Sequence, residues 1–220
     1  MIRDIVRPPK HGGTWALLLP IGLCIAIEAA LQLADAGLLR DPSARLEAYR
    51  LGAVWPAPAP GWFPLYPGQG IAMTLTYGLL HGGLSHLALN MAGLWVFGAA
   101  AIERVGPGRF LALLLGATLT GALVFLVLAT RGQPMVGISG ALFGLVGALL
   151  AWSWEDATGL RARLRAIAPD LAILLLLGLG AHVLLAGQIA WQTHLGGFLG
   201  GWVLGIALDR PRPGSAGASS

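Results

Sequence analysis

The sequence predicts an all-α membrane protein, a bundle of six transmembrane helices, and three observations predict it. First, of 220 residues 56% are hydrophobic and only 11% charged, against about a quarter charged in soluble domains. That surplus of apolar side chains has no core large enough to hide in, so bilayer is its natural solvent. Second, six runs reach the length of about 20 mostly apolar residues that a span requires: 14–34, 83–102, 110–130, 136–154, 167–187 and 189–208. Third, the basic residues are asymmetric. With the N-terminus inside, Arg3, Arg7, Lys10, Arg104, Arg109, Arg161, Arg163, Arg165, Arg210 and Arg212 fall inside, and only Arg40, Arg45, Arg50 and Arg131 fall outside. The positive-inside rule then makes both the N- and C-termini cytoplasmic.

The elements follow in order. Residues 1–13 form a basic cytoplasmic N-terminal segment, with His11 exposed to solvent. The run 14–34 ends near Ala34-Asp35-Ala36, which resembles a signal-peptidase site, but its 21 residues exceed the roughly 7–15 of a signal-peptide core, so it is read as a retained helix. It opens a membrane domain covering 14–208. Within that domain, 35–70 is a long extracytoplasmic first loop containing APAPGWFPLYPG. Its prolines block a regular helix, while Trp55, Trp62, Phe63 and Tyr66 suit the membrane interface. The last two spans are joined by a tight turn near Gly187 and Gln188, and 209–220 is a flexible tail. No repeat of fixed period is present.

Composition also excludes functions. The formal charge of +4 is accounted for by topology, and no basic cluster is interleaved with aromatics as a nucleic-acid groove requires. The single cysteine, Cys24, lies in an apolar run, which rules out an internal disulfide and a CxxC metal site. The partner expected is the lipid bilayer, with no nucleic acid, metal or cofactor.

Polar side chains in hydrocarbon are costly and mark function. Those that stand out are Glu28, His81, His86, Asn90, Ser139, His182 and His194. His86 is three residues into its span, Ser139 three into its own and His194 five into the last, roughly 5–8 Å below the outer end at helical rise. Three helices thus carry a serine and two histidines to one depth. His86 and Asn90, four apart, share a helix face. Gly197, Gly201 and Gly205 form a double GxxxG, and Gly140 and Gly144 form another after Ser139. Small residues let helices approach closely in lipid, so the helix of Ser139 is expected to pack on that of His194.

A serine within reach of an imidazole is a nucleophile and its base. The Ser139 N–H, the Asn90 amide and His86 could bind the oxyanion. Glu103, Glu155, Asp156, Asp170 and Asp209 fall towards the inner side, so a Ser–His dyad is expected rather than a triad. The nucleophile elbow of α/β-hydrolases would need glycine at 141, where Ala141 stands. The bland alternatives are a capping or packing serine, interface histidines, and hydrogen-bond glue for His86 and Asn90. Glu28 is read as structural or water-facing, and His182 as a hydrogen-bonded packing residue. His81, five residues before His86, would lie ~140° around an ideal helix, and is read as tying down the loop or the helix end.

HGGLSHLALNM (81–91), GISGALFG (137–144) and HLGGFLGG (194–201), on the second, fourth and sixth spans, resemble the rhomboid intramembrane serine proteases over about residues 71–208. The resemblance implies a rhomboid-like bundle and cleavage of transmembrane substrates by Ser139 with His194 as base. It also implies oxyanion binding by His86 and Asn90, with His81, Phe143 and Gly137 as supporting positions. Phe143 would pack by the catalytic histidine. The chain departs from the family in having Ala72-Met73 where Trp-Arg is frequent. Two rivals are a non-catalytic relative that escorts transmembrane helices, and a small transporter or channel. The first would not need both Ser139 and His194, and the second expects polar residues through the full depth. An Arg-rich, Lys-poor composition is associated with bacteria of GC-rich genome, which would put the protein in the plasma membrane.

Overall fold

The computed structural model describes residues 12–39, 41–56, 63–129, 134–184 and 190–209, with backbone alone at 173 and 177–184. The expected turn at Gly187 and Gln188, the N-terminal segment with His11, the side chain of His182 and most of the tail lie outside the described residues. Among the described residues, eight α-helices run in the order α1 (Thr14–Asp35), α2 (Ala44–Gly52), α3 (Gln69–Thr76), α4 (Leu84–Val105), α5 (Pro107–Leu128), α6 (Ser139–Asp156), α7 (Leu160–Leu184) and α8 (Trp191–Leu208). A 3-10 turn, Tyr77–Leu79, links α3 to the approach of α4. Among the described residues the only β pairing is an isolated bridge, Val54 with Met135.

Helices α1, α4 and α5 are long and apolar enough to cross a membrane, and the protein is an integral membrane protein. The bounds differ from the expected spans at several ends. The helix expected at 167–187 starts at Leu160, because Arg161, Arg163 and Arg165 are good helix formers and continue the apolar run as helix. The first loop is also less irregular than its prolines suggest, since Ala44–Gly52 within it is helical. Asp41 starts that helix: its carboxylate accepts hydrogen bonds from the N–H (2.8 Å) and the hydroxyl (2.6 Å) of Ser43, which organises the turn into the helix. The prolines lie outside α2, at positions 42 and 56 onward.

Helix α8 is wedged between α5 and α6 because two of its faces are glycine. A Cβ on Gly197 would strike the carbonyl of Gly140, and one on Gly201 the backbone of Gly144, both on α6. On the other side, Gly196 and Gly200 abut Thr120 and Val124 of α5. Backbones that touch in this way gain van der Waals contact, which is what holds helices together in lipid. The Trp152 indole donates to the Gly205 carbonyl (2.8 Å) further down the same seam. Helix α1 packs on the far side, where Leu17 fills the space left by Gly98 of α4. Leu94, Phe110, Leu113 and Leu145 close the core between these helices.

At the end of the bundle remote from Ser139, Arg104 near the end of α4 joins α6 to α8. Its guanidinium donates to Asp156 (2.9 and 3.0 Å) and to Asp209 (2.6 and 2.8 Å) and lies over the Trp152 ring.

Candidate active site

Ser139 is the first residue of α6. A residue at that position has no carbonyl four residues back within the helix, so its N–H points out of the helix end. The approach to it is held in place by the residues before it. Gly137 has φ +112, a conformation that L side chains rarely adopt, and its N–H donates to the Tyr77 carbonyl (2.9 Å). Met135 pairs with Val54 through both backbone bonds, 2.8 and 3.1 Å, which ties the loop before Ser139 to the first loop.

The Ser139 Oγ lies 3.0 Å from His194 Nε2. Hydrogen-bond reach is the geometric requirement for a serine and its base. His194 is four residues into α8, and its ring stacks on Phe143, one helical turn beyond Ser139, with centroids 4.0 Å apart and planes 3° from parallel. The ring plane is therefore set by an aromatic face. Four carboxylates are engaged elsewhere: Glu28 and Asp35 with Arg45, and Asp156 and Asp209 with Arg104.

His86 and Asn90, on the first two turns of α4, face the same loop. A Cβ on Gly137 would lie 2.7 and 2.8 Å from His86 Cε1 and Nε2, and 3.4 Å from Asn90 Nδ2. Glycine is thus required at 137 for the space as well as for the φ. The Gly82 N–H donates to His86 Nδ1 (3.2 Å), so the imidazole is neutral and carries its proton on Nε2. Asn90 is buried, and its Nδ2 has no partner within the described residues. A serine hydroxyl, an imidazole and two side-chain donors therefore converge on one end of α4, α6 and α8.

His81 occupies a different place from the one helical geometry would give it. Gly83, at φ +124, breaks the chain before α4, so His81 is not on the helix. Its fully buried ring meets that of His86 edge-on at 5.3 Å, instead of lying ~140° away around a helix. Its carbonyl is clamped from the first loop, accepting from Arg45 Nη1 (3.0 Å) and the Tyr49 hydroxyl (2.8 Å). Arg45 in turn forks onto the wholly buried Glu28 of α1 at 2.9 and 3.1 Å and reaches Asp35 at 2.6 Å. The hydrogen bonds with Glu28 push the Arg45 guanidinium above its ordinary pKa, keeping it charged. Gln32 adds a bond to Glu28 (2.8 Å).

Arg45, Tyr49 and Tyr77 are site residues that sequence reasoning missed. Arg45 and Tyr49 did carry a signal, being four apart on a helical stretch and so on one face. Tyr77 is wholly buried beneath the Ser139 loop, with its hydroxyl donating to the Thr118 carbonyl at 2.8 Å. The adjoining Thr193 hydroxyl contacts the Met135 sulfur.

These features define a multi-helix integral membrane protein with a serine, two histidines and an asparagine gathered at one end of the bundle. Residues 69–211 match the family model described as the Rhomboid domain. The chain belongs to the rhomboid family. It is 35% identical over 143 residues to the rhomboid protease GluP of Bacillus subtilis (strain 168), covering 65% of this chain and 27% of that protein. It is 35% identical over 137 residues to RHOMBOID-like protein 5 of Arabidopsis thaliana, covering 61% of this chain and 43% of that one. A third relative, 34% identical over 90 residues, 41% of this chain and 25% of its own length, is named Inactive RHOMBOID-like protein 8, also of Arabidopsis thaliana. The chain thus spans less than half the length of these relatives.

Proposed function

We propose that this protein is an intramembrane serine endopeptidase working through a Ser139–His194 dyad. The observation that carries the reading is the 3.0 Å approach of Ser139 Oγ to His194 Nε2. Ser139 Oγ attacks the scissile carbonyl while His194 takes its proton. The tetrahedral oxyanion is received by the Ser139 N–H, the Asn90 amide and the His86 Nε2–H. Collapse expels the amine, which leaves with the proton from His194, and an acyl-enzyme remains on Ser139. His194 then deprotonates a water that attacks the ester, and the serine is restored.

Peptide bonds in a transmembrane helix are shielded by intrahelical hydrogen bonding. The substrates are therefore transmembrane segments easily unwound near their outer end, by glycine, proline or other poor helix formers. Six spans, both termini in the cytoplasm and residence in a bacterial plasma membrane complete the proposal. In this orientation the arginine-rich stretch beginning α7 faces the cytoplasm.

A non-catalytic relative is the rival with a specific observation behind it, because one relative bears the name inactive. Labelling with a serine-directed fluorophosphonate separates the two. Wild-type protein in detergent is expected to label and to cleave a model transmembrane substrate, and Ser139→Ala to do neither. Identical behaviour of the two proteins would sink the protease reading.

A further inference from the structure

We propose that Arg45 is a positioning residue for His86, acting through the peptide group that joins His81 to Gly82 to orient the ring and keep its proton on Nε2. The proposal rests on the protease reading, in which His86 donates to the oxyanion.

The His81 carbonyl and the Gly82 N–H belong to one planar peptide unit. On its oxygen side the unit accepts from Arg45 Nη1 at 3.0 Å and from the Tyr49 hydroxyl at 2.8 Å. On its nitrogen side it donates to His86 Nδ1 at 3.2 Å. The plane of the peptide therefore transmits the place of Arg45 to the imidazole. A cation on the carbonyl also polarises the unit, and hydrogen bonds in a chain strengthen one another, so Gly82 becomes a better donor to Nδ1. An imidazole that accepts at Nδ1 must carry its proton at Nε2, the atom packed against Gly137 two residues before Ser139.

Arg45 is itself held from behind. Its Nη1 and Nη2 bond both oxygens of Glu28, and its Nε bonds Asp35. Lysine could not reproduce this fork, because one ammonium lacks the planar set of donors that serves two carboxylates and a carbonyl together. The buried acid in α1 thus anchors the loop helix α2, and α2 sets the peptide before α4. Glu28 stands three contacts away from His86, through Arg45 and the His81–Gly82 peptide, in a helix that contributes none of the reacting groups.

The test uses the full-length chain in detergent, labelled with 15N-histidine, the His86 signals being assigned by their loss in His86→Ala. Wild type should show one neutral His86 tautomer with Nε2 protonated. Arg45→Gln should give a mixture of tautomers at His86, leave the His194 signals in place, and lower kcat by about tenfold to a hundredfold, as small misplacements do, with KM within about twofold. Arg45→Lys should recover only part of both. Tyr49→Phe, which removes one donor and no charge, should shift both in the same sense by less, and it carries the test if Arg45→Gln does not fold. Arg50→Gln, on the same helix but paired with Glu47, should match wild type. Loss of turnover with an unchanged His86 tautomer would reduce Arg45 to a structural role, and unchanged turnover and tautomer would overturn the proposal. The tautomer readout stands even if fluorophosphonate fails to label wild-type Ser139, so failure of the protease reading is told apart from failure of this one.

Discussion

The same three helices meet at both ends of the bundle, and they meet differently. At one end α4, α6 and its N-terminal loop, and α8 bring together His86, Asn90, Ser139 and His194. At the other, α4, α6 and the residue after α8 bring together Arg104, Asp156 and Asp209. The second group is a cation held by two carboxylates through four hydrogen bonds of 2.6–3.0 Å. One cation serves both acids. Among the described residues the first group carries no charge pair of its own, and the buried Asn90 Nδ2 has no partner. A buried polar group left open costs free energy, and in the proposed reaction the substrate oxyanion answers it. One end fastens the helices and the other uses the fastening.

Three substitutions test that contrast, taken in order of expected effect. Gly201→Leu on α8 forces a side chain into the backbone of Gly144 and spreads the seam that holds Ser139 to His194. Turnover should fall by about a thousandfold or more, since misalignment of a nucleophile and base removes their joint action. Wild-type turnover in a correctly inserted variant would count against the packing argument. Asn90→Ala removes one open donor, and kcat should drop by about 100- to 1,000-fold, as loss of an oxyanion donor does elsewhere. Melting temperature should hold or rise, because the unsatisfied amide leaves with it; a large drop in stability would mean that Asn90 is glue and not a donor. Arg104→Ala should do the reverse: a loss of about 1 kcal/mol for a partly exposed ion-pair network, read as a fall of about 2–4 °C in melting temperature. At lower temperature turnover should stay within about twofold. A larger kinetic than thermal effect would erase the division between the two ends.

The contrast also marks what could be read from the sequence. Ser139, His86 and His194 stood out in the sequence because hydropathy runs give each residue an expected depth, and three polar residues at one depth are conspicuous against leucine and alanine. The glycine spacing at 140, 144, 197 and 201 was legible for a related reason, since a small-residue stripe has a period of its own. The clamp on His81 was not. Arg45 looked like one of four outside basic residues, and Glu28 like a structural or water-facing acid with no named partner. The two are 17 residues apart, and their pairing follows from the way α2 folds back over α1. Hydropathy carries no information about such a partner. Helix α2 was missed because the proline-rich stretch that follows it, from Pro56 on, dominates the composition of the whole loop. The ~140° angle to His86 failed because helical periodicity was extended across Gly82 and Gly83, where the backbone turns, while the expected tie between His81 and the loop agrees with the bonds to its carbonyl.

The glycine seam between α6 and α8 has a consequence for how the protein meets membranes of different thickness. Where side chains separate two helices, rotamers can adjust and the helices can slide when the bilayer tilts or compresses them. Between Gly140 and Gly197, and again between Gly144 and Gly201, there is only backbone against backbone, so that slack is missing. Thinner or thicker lipid must tilt α6 and α8 together as one body. The spacing of Ser139 and His194 then rests on a seam with no rotamers to relax.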